Sequence, residues 1–245
     1  KKTYDLFKQK YKFDRNVHIV PTGIEIERFY KENNNKKEIE KLRNDLGFDK
    51  NDFVILFVGR IAEEKNINLL LDSQNIINKK YKNCKILIVG DGPDLEKLKK
   101  QYSKNKSIVF AGKVPWENIP KYYLLANVFA TASTSETQGL TVIEACAASL
   151  PPICINDESF TNVVIDDLNG KIFNTKKEYI KIIENLILDK QTLKRLSNQA
   201  RVSSETYSSK YYASRVLDVY KKAIENSDRK KGLFGKIKEM KVHEE

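Results

Sequence analysis

The chain has 245 residues, of which 40% are hydrophobic and 10% aromatic, and its 10 glycines and 6 prolines exclude a disordered or collagen-like chain. The formal net charge is +11, from 44 Lys and Arg against 33 Asp and Glu. The apolar runs Val54–Val58 and Ile86–Val89 are far shorter than the roughly 20 residues that span a bilayer, so we expect no transmembrane helix. The first residues also lack the apolar stretch of a secretory signal.

The cysteines and histidines exclude further chemistry. Cys84, Cys146 and Cys154 show no zinc-site or redox spacing, which predicts buried, reduced thiols in a cytoplasmic protein. His18 and His243 lie near opposite ends, with no Ser or Cys pattern that would form a nucleophilic triad. Catalysis would therefore depend on carboxylates, cations and backbone amides.

The first residues of the chain indicate a connection from a preceding domain. Residues 1–18 contain a helical pattern at Thr3–Phe13 with no strand ahead of it, which indicates a linker from a preceding domain. Ile19–Ile24 is predicted to be a strand running into a turn, and Lys31–Lys37 a polar loop. A helix over Lys36–Leu46 is expected to end at Gly47.

From residue 52 onward, short apolar runs alternate with amphipathic segments. The predicted strands are Phe53–Gly59, Cys84–Gly90, Ser107–Gly112, Asn127–Ala132 and Pro152–Ile155. The predicted helices are Asn66–Lys80, Asp94–Ser103, Glu117–Ala126, Leu140–Ser149, Lys176–Leu188, Lys190–Glu205 and Lys210–Asn226. Continuously apolar strands joined by helices predict an α/β fold, a doubly wound, Rossmann-like parallel sheet with extra C-terminal helices, over residues 19–226. Ligands then bind beyond the carboxyl ends of the strands.

Two of these strand ends carry residues suited to an anionic ligand. Gly59 would let the backbone come close to the ligand, while Arg60 and Lys65 could flank the two phosphates of a nucleotide diphosphate. Gly90 opens a second tight turn, Val89–Pro93, which lacks the glycine pattern of a dinucleotide-binding loop. That turn either lines a pocket or only punctuates the chain.

The segment after the fourth strand is the most informative. Its loop carries Glu136, and a helix begins just after Gly139, so that the free amides of Leu140 and Thr141 would face an anion. Glu144 lies one turn further on the same face. Two carboxylates beside an anion-binding helix end suit a nucleotide-linked sugar, although capping or solvated carboxylates are the ordinary alternative.

The excess of positive charge is mostly diffuse, and no nucleic-acid-binding motif accompanies it. We therefore expect no nucleic acid partner. The tail 227–245 differs, because apolar residues recur at helical spacing among basic ones, as in helices that lie on anionic membranes. The expected membrane contacts are Lys230, Lys231, Leu233, Phe234, Lys236 and Ile237. A frayed, solubilising terminus is the alternative.

Taken together, the motifs resemble the retaining glycosyltransferases of family 4, which have the two-domain GT-B architecture. The resemblance extends from about Ile19 to Tyr220. It is carried by Pro21-Thr22-Gly23 with Phe29, Val58-Gly59-Arg60 with Lys65, Val89-Gly90-Asp91-Gly92-Pro93, Phe110-x-Gly112-x-Val114, the two glutamates, and Asn169-Gly170. Within that family, Ser135–Thr141 is most similar to bacterial 1,2-diacylglycerol 3-glucosyltransferases.

The resemblance implies that the chain is the carboxyl-terminal, donor-binding half of such an enzyme. It places Arg60 and Lys65 on the diphosphate beside the Leu140 and Thr141 amides. Glu136 would hold the transferred sugar.

At the other end of the donor, the resemblance places Glu144 on the ribose, and the backbone around Val114 against the base, with Gly90 nearby. Replacement of the usual helix-ending glycine by Ser149 is a departure from the family pattern.

The implied reaction is transfer of a hexose, with retention and without a metal ion, from a nucleotide sugar to a lipid or glycan. UDP-glucose and diacylglycerol are the expected substrates, with the acceptor bound by a domain that precedes Lys1. The enzyme would be cytoplasmic or peripheral on the inner face of the membrane. A stand-alone nucleotide or phosphosugar-binding module and a structural protein that binds anionic lipids are the alternatives.

Overall fold

The computed structural model describes residues 2–11 and 17–242, with the side chains of residues 2, 3, 6 and 227–242 outside that description. The helices in these ranges are α1 (Lys2–Tyr11), α2 (Lys36–Asp45), α3 (Ile67–Lys80), α4 (Leu95–Tyr102), α5 (Ile119–Leu124), α6 (Leu140–Ala147), α7 (Lys176–Leu188), α8 (Lys190–Ser204) and α9 (Ser209–Val242). Short 3-10 turns occur at Ile26–Phe29, Lys31–Asn33, Glu63–Lys65, Trp116–Asn118 and Glu205–Tyr207.

The strands of the described residues form one parallel sheet of six. They are β1 (Phe53–Val58), β2 (Cys84–Val89), β3 (Ile108–Gly112), β4 (Val128–Thr131), β5 (Pro152–Ile155) and β6 (Lys171–Phe173), in the spatial order β3-β2-β1-β4-β5-β6. This order is that of a doubly wound sheet, in which the direction of winding reverses between β1 and β4. The predicted fold class is confirmed, and the switch point is where a ligand is expected.

Alternate strand residues enter two cores, one on each face of the sheet. Along β1, Phe53, Ile55 and Phe57 face the core that α3, α4 and α7 cover. Val54 and Leu56 face the opposite core, which includes α6 residues and Tyr123 of α5. Since both faces are covered by helices, the strands are apolar along their length, which made them recognisable in the sequence. The cysteines Cys84, Cys146 and Cys154 are free and buried, as expected.

The local structure differs from the predictions at three places. Residues 19–24 are not a strand: the segment passes outside the sheet, and Ile24 alone forms a bridge, with Ser208. The sequence interpretation also missed β6, because a three-residue strand is too short to show a periodicity. Helix α9 is longer than predicted, since it continues through residue 242.

The ends of the chain leave several predictions untested. Residues 12 and 13 of the predicted first helix lie outside the described residues, and so do the side chains of Lys230, Lys231, Leu233, Phe234, Lys236 and Ile237. The proposed boundaries at 1–18, 19–226 and 227–245 stay predictions. Within the described ranges, no helix has the length and apolarity needed to cross a membrane.

Candidate functional site

The carboxyl ends of the strands form a cleft at the switch point. It consists of two hollows of about 570 Å³ and 410 Å³, which share Val58, Gly59 and Arg60 as a common wall. The first hollow lies toward β2 and β3, and the second toward β4 and the start of α6. Residues predicted separately from three strand ends therefore line one continuous surface.

The first hollow is shaped by close approach of the backbone. Gly90 has φ +140°, and a Cβ atom there would lie 1.9 Å from the carbonyl oxygen of Gly59, so only glycine fits. The Gly90 turn lines the hollow together with Val114 and Ile119. The hollow thus offers backbone groups and an apolar wall, which suits a planar base.

The second hollow contains an ion pair. Lys65 ends the 3-10 turn before α3, and its Nζ lies 2.6 Å from Oε1 of Glu136 in the loop after β4. The two side chains are only 15% and 26% exposed, so both are held against the protein. The Ser133 and Ser135 hydroxyls lie 3.4 Å and 3.5 Å from the same ammonium. A cation and a carboxylate therefore lie side by side on the wall of the second hollow.

Arg60 contrasts with Lys65. Its side chain is exposed at the wall between the hollows and has neither a hydrogen bond nor an ion pair with any described residue. A guanidinium with no intramolecular partner keeps all five N–H donors available to a ligand. Arg60 is thus placed to contact an anion that spans the two hollows.

Helix α6 supplies backbone donors to the same hollow. Gly139 precedes it with φ +66°, and the amides of Val142 and Ile143 donate to the Gly139 carbonyl. Within the described chain, the amides of Leu140 and Thr141 have no hydrogen-bond partner, although both residues line the second hollow. These free amides and the helix dipole favour an anion at this point.

Glu144 lies deeper than the sequence interpretation implied. It does not line either hollow, and its Oε2 accepts a 2.7 Å hydrogen bond from the hydroxyl of the fully buried Tyr123. Burial raises the pKa of the Glu144 carboxyl, while the Tyr123 hydrogen bond and the nearby Arg28 charge lower it. The Arg28 guanidinium stacks 3.0 Å from the centre of the Trp116 ring.

Three residues that contact the glutamates of the site or lie near them could not be identified from the sequence. Tyr123, Arg28 and Ser159 come from three distant segments and belong to no motif. Ser159 donates a 2.6 Å hydrogen bond to the carbonyl of Glu136, so the loop after β5 supports the loop after β4. Only the fold brings these segments together.

The described ranges, 2–11 and 17–242, contain no group of three His, Cys, Asp or Glu side chains that could hold a metal ion. The expectation of a metal-free reaction stays a prediction. The second hollow is lined by an unpaired guanidinium, an ammonium and two free amides. A carboxylate lies beside them, which suits a diphosphate joined to a hydroxyl-bearing group.

Comparison with known proteins agrees with this architecture. The chain is 36% identical over 233 residues to "Alpha-monoglucosyldiacylglycerol synthase" of Acholeplasma laidlawii, covering 94% of this chain and 58% of the relative. It is 30% identical over 229 residues to the protein of the same name from Streptococcus pneumoniae, covering 91% of this chain and 51% of the relative. The chain thus spans little more than half the length of these relatives.

Solved structures show the same fold. Anabaena HepE, in a complex with UDP and glucose, superposes with a TM-score of 0.74 at 20% identity, over 83% of this chain and 56% of that one. The family model described as "Glycosyl transferases group 1" matches residues 38–203, which include all the strands and the whole cleft apart from Thr22. The chain belongs to the group 1 glycosyl transferases, as its motifs predicted.

Proposed function

We propose that this chain is the donor-binding half of a retaining glycosyltransferase that transfers glucose from UDP-glucose to diacylglycerol. One observation carries the proposal: Arg60, Lys65 and the free amides of α6 converge on one cleft, with Glu136 beside them. This arrangement matches the chemistry of a sugar diphosphate, which has two charged phosphates next to a group rich in hydroxyls.

The donor would lie along the cleft from one hollow to the other. The base would occupy the first hollow, against Val114 and the Gly90 turn. The diphosphate would cross the shared wall at Arg60. Glucose would then reach Glu136, whose carboxylate accepts hydrogen bonds from sugar hydroxyls.

The ribose would lie between the base and the diphosphate, on the side of the shared wall toward α6, where it would reach Glu144. This placement requires the carboxylate to accept hydrogen bonds from the ribose hydroxyls while Tyr123 donates to its other side. Because Glu144 is half-buried, we expect the ribose to reach it along the first turn of α6 and not from open solvent.

The same groups would assist bond cleavage. As the bond between the anomeric carbon and the diphosphate breaks, negative charge grows on the leaving phosphate. Arg60, Lys65 and the Leu140 and Thr141 amides are preorganised to stabilise this charge, and removal of one such donor costs roughly 10²–10³ in turnover in other enzymes. The protein's groups alone would supply this stabilisation, without a metal ion.

The identity of the proposed acceptor is inferred from the similar proteins. Two proteins whose names specify glucosyl transfer to diacylglycerol share 36% and 30% identity with most of this chain. We propose that a preceding domain binds the acceptor, and that the enzyme works at the cytoplasmic face of the membrane. The basic tail from Lys230 to Ile237 would contact anionic lipids there.

Calorimetric titration of the chain with UDP-glucose, UDP, UMP and GDP-mannose tests the donor proposal. We expect UDP-glucose and UDP to bind and UMP to bind more weakly, because UMP lacks the β-phosphate that Arg60 and Lys65 would contact. Glu136→Gln should weaken UDP-glucose binding more than UDP binding. Glu225→Gln, on the exposed surface of α9, is the matched control.

Absence of binding by all four ligands would overturn the proposal. Equal loss of UDP and UDP-glucose affinity in Glu136→Gln would contradict the assignment of that residue to the sugar. Tight binding of UDP-glucose by the chain, combined with lack of glucosyl transfer in a full-length protein that contains it, would favour a binding module without catalysis.

A further inference from the structure

The loop that carries Glu136 is tied to a segment that lies far away in the sequence. Gln138 accepts a 3.0 Å hydrogen bond from the amide of Thr22 through its Oε1, and its Nε2 donates a 2.8 Å hydrogen bond to the Thr22 carbonyl. The two residues are 116 positions apart. The primary amide of one side chain thus satisfies both polar groups of one backbone residue, as a neighbouring strand would.

Both partners belong to the cleft. Thr22 and Gln138 line the second hollow together with Glu136, Gly139 and Leu140. The carbonyl of Glu136 is held from another side by Ser159. The loop between β4 and α6 is therefore anchored on both sides of its carboxylate, and Gln138 supplies the anchor next to the helix end.

The segment around Thr22 is itself held firmly. A Cβ atom on Gly23 would lie 2.6 Å from Cβ of Tyr212, so this backbone packs directly on the first turn of α9. Ile24 donates to the Tyr207 carbonyl, and its own carbonyl accepts from the Ser209 amide. Movement of Thr22 therefore requires movement of the chain at the start of α9, and Gln138 docks onto a rigid support.

We propose that Gln138 is a positioning residue, which locks the donor-binding loop onto Thr22 so that Glu136 and the α6 amides keep the spacing that a sugar diphosphate requires. This inference rests on the proposed function. Gln138 would act through the loop, since its own amide is already occupied by Thr22.

Two substitutions at this position separate hydrogen bonding from packing. Gln138→Met keeps the length of the side chain and loses both hydrogen bonds. Gln138→Glu keeps the acceptor for the Thr22 amide, but an ionised carboxylate places a second oxygen against the Thr22 carbonyl. Protonation of that carboxylate restores a donor, and the Thr22 carbonyl that faces this position disfavours the ionised form and raises the pKa of the introduced carboxyl, so the Glu variant regains both bonds at mildly acidic pH.

The experiment measures UDP-glucose affinity for the wild-type chain and these variants at pH 7.5 and pH 5. The control is Gln101→Met, at an exposed glutamine of α4 whose side chain has no partner among the described residues. Both Gln138 variants should bind about three- to tenfold more weakly than the wild type at pH 7.5, the value of one or two ordinary hydrogen bonds. At pH 5, Gln138→Glu should recover relative to wild type, whereas Gln138→Met should not.

Amide hydrogen exchange provides a readout that does not depend on ligand. Thr22 should exchange faster in Gln138→Met than in the wild-type chain, and at an unchanged rate in Gln101→Met. Recovery of the Glu variant at pH 5 also shows that this variant is folded. A purely structural defect would weaken both variants equally at both pH values.

The outcomes for this inference and for the proposed function are distinguishable. If the wild-type chain binds no nucleotide sugar, the proposed function fails and the inference fails with it. If the wild type binds normally and Gln138→Met binds equally well, the inference alone is overturned. The same holds if the affinity of Gln138→Glu shows no pH-dependent recovery.

Discussion

The two hollows of the cleft are built by different means. The first owes its shape to the backbone, because Gly90 lies against the carbonyl of Gly59, and the apolar part of its wall includes Val114 and Ile119. The second is lined by charged groups and free amides, with Lys65 and Glu136 already paired. Substitutions that crowd the backbone of the first hollow should therefore mainly reduce stability, whereas substitutions of the charged side chains in the second should mainly weaken ligand binding.

The largest expected effect comes from the first hollow. In Gly90→Ala, the new methyl group would lie 1.9 Å from the Gly59 oxygen, and the strand ends of β1 and β2 must separate to accommodate it. We expect the free energy of unfolding to fall by about 3 kcal/mol or more, measured by urea denaturation.

Gly47→Ala is the matched control, because Gly47 also has a left-handed φ (+76°) but has nothing within 4 Å of the new Cβ. Its cost should be the backbone strain alone, about 1 kcal/mol. Equal losses for the two variants would show that the close contact at Gly90 is unimportant.

The second hollow should respond differently at its two cations. Arg60→Ala should leave the free energy of unfolding unchanged within about 0.5 kcal/mol, because Arg60 has no partner among the described residues. It should weaken UDP binding about 10- to 100-fold, as expected for lost hydrogen bonds to a charged ligand.

Lys65→Ala should weaken UDP binding to a similar extent and also reduce stability, by about 1 kcal/mol, because it removes the partly exposed ion pair with Glu136. Paired calorimetry and urea denaturation measure both effects. Loss of stability in Arg60→Ala, or none in Lys65→Ala, would remove the distinction between the two cations.

The pH dependence of donor binding tests the part of the cleft around the ribose. The pKa of Glu144 is raised by burial, and the Tyr123 hydrogen bond opposes this shift. Protonation turns one carboxylate oxygen into a donor and weakens the acceptor that faces the ribose hydroxyls, so UDP binding should weaken as the pH falls through this pKa. Tyr123→Phe removes an interaction that favours ionisation, and the acidic limb of the binding curve should move to higher pH.

The same variant has a predicted effect on stability. A raised pKa in the folded state means that the folded protein binds more protons than the unfolded chain between the two pKa values. The free energy of unfolding therefore falls as the pH rises through this window, and it should fall further in Tyr123→Phe. Tyr220→Phe, at an exposed tyrosine of α9, is the control. Identical pH profiles for both variants would contradict the role of Tyr123.

The smallest effect is expected outside the cleft. Ser149 follows α6 with φ +59°, in the left-handed conformation that glycine usually supplies at this position. Its side chain is exposed and has no partner among the described residues. Ser149→Gly should relieve strain and raise the free energy of unfolding by up to about 1 kcal/mol, without a change in UDP affinity. Destabilisation would show that the serine has a role beyond its backbone conformation.

The sheet and the charged cleft were predictable because each depends on local signals. Five of the six described strands are apolar runs that are visible in the sequence, and Arg60 and Glu136 lie in the loops that follow β1 and β4. Parallel strands end at one edge, so residues at successive strand ends meet. The placement of Gly59, Gly90, Val114, Gly139, Leu140 and Thr141 around one cleft follows from the same rule.

The remaining features depend on contacts between distant segments. Gln138 is an ordinary loop glutamine that forms hydrogen bonds with the Thr22 backbone, and no sequence pattern indicates this contact. The burial of Glu144 against Tyr123 could not be predicted without knowing how α5 packs on α6. Strand β6 forms because β5 is beside it, not because Lys171–Phe173 has a strong tendency to be extended.

The most direct test of the central claim follows backbone and side-chain NMR signals of the labelled chain during titration with UDP. The largest shifts should occur at the amides of Leu140 and Thr141 and at the Arg60 guanidinium, and the signals of α9 should be unchanged. Shifts concentrated elsewhere, for example at Val17–Val20 and Arg215, with none at α6, would contradict a diphosphate site in this cleft.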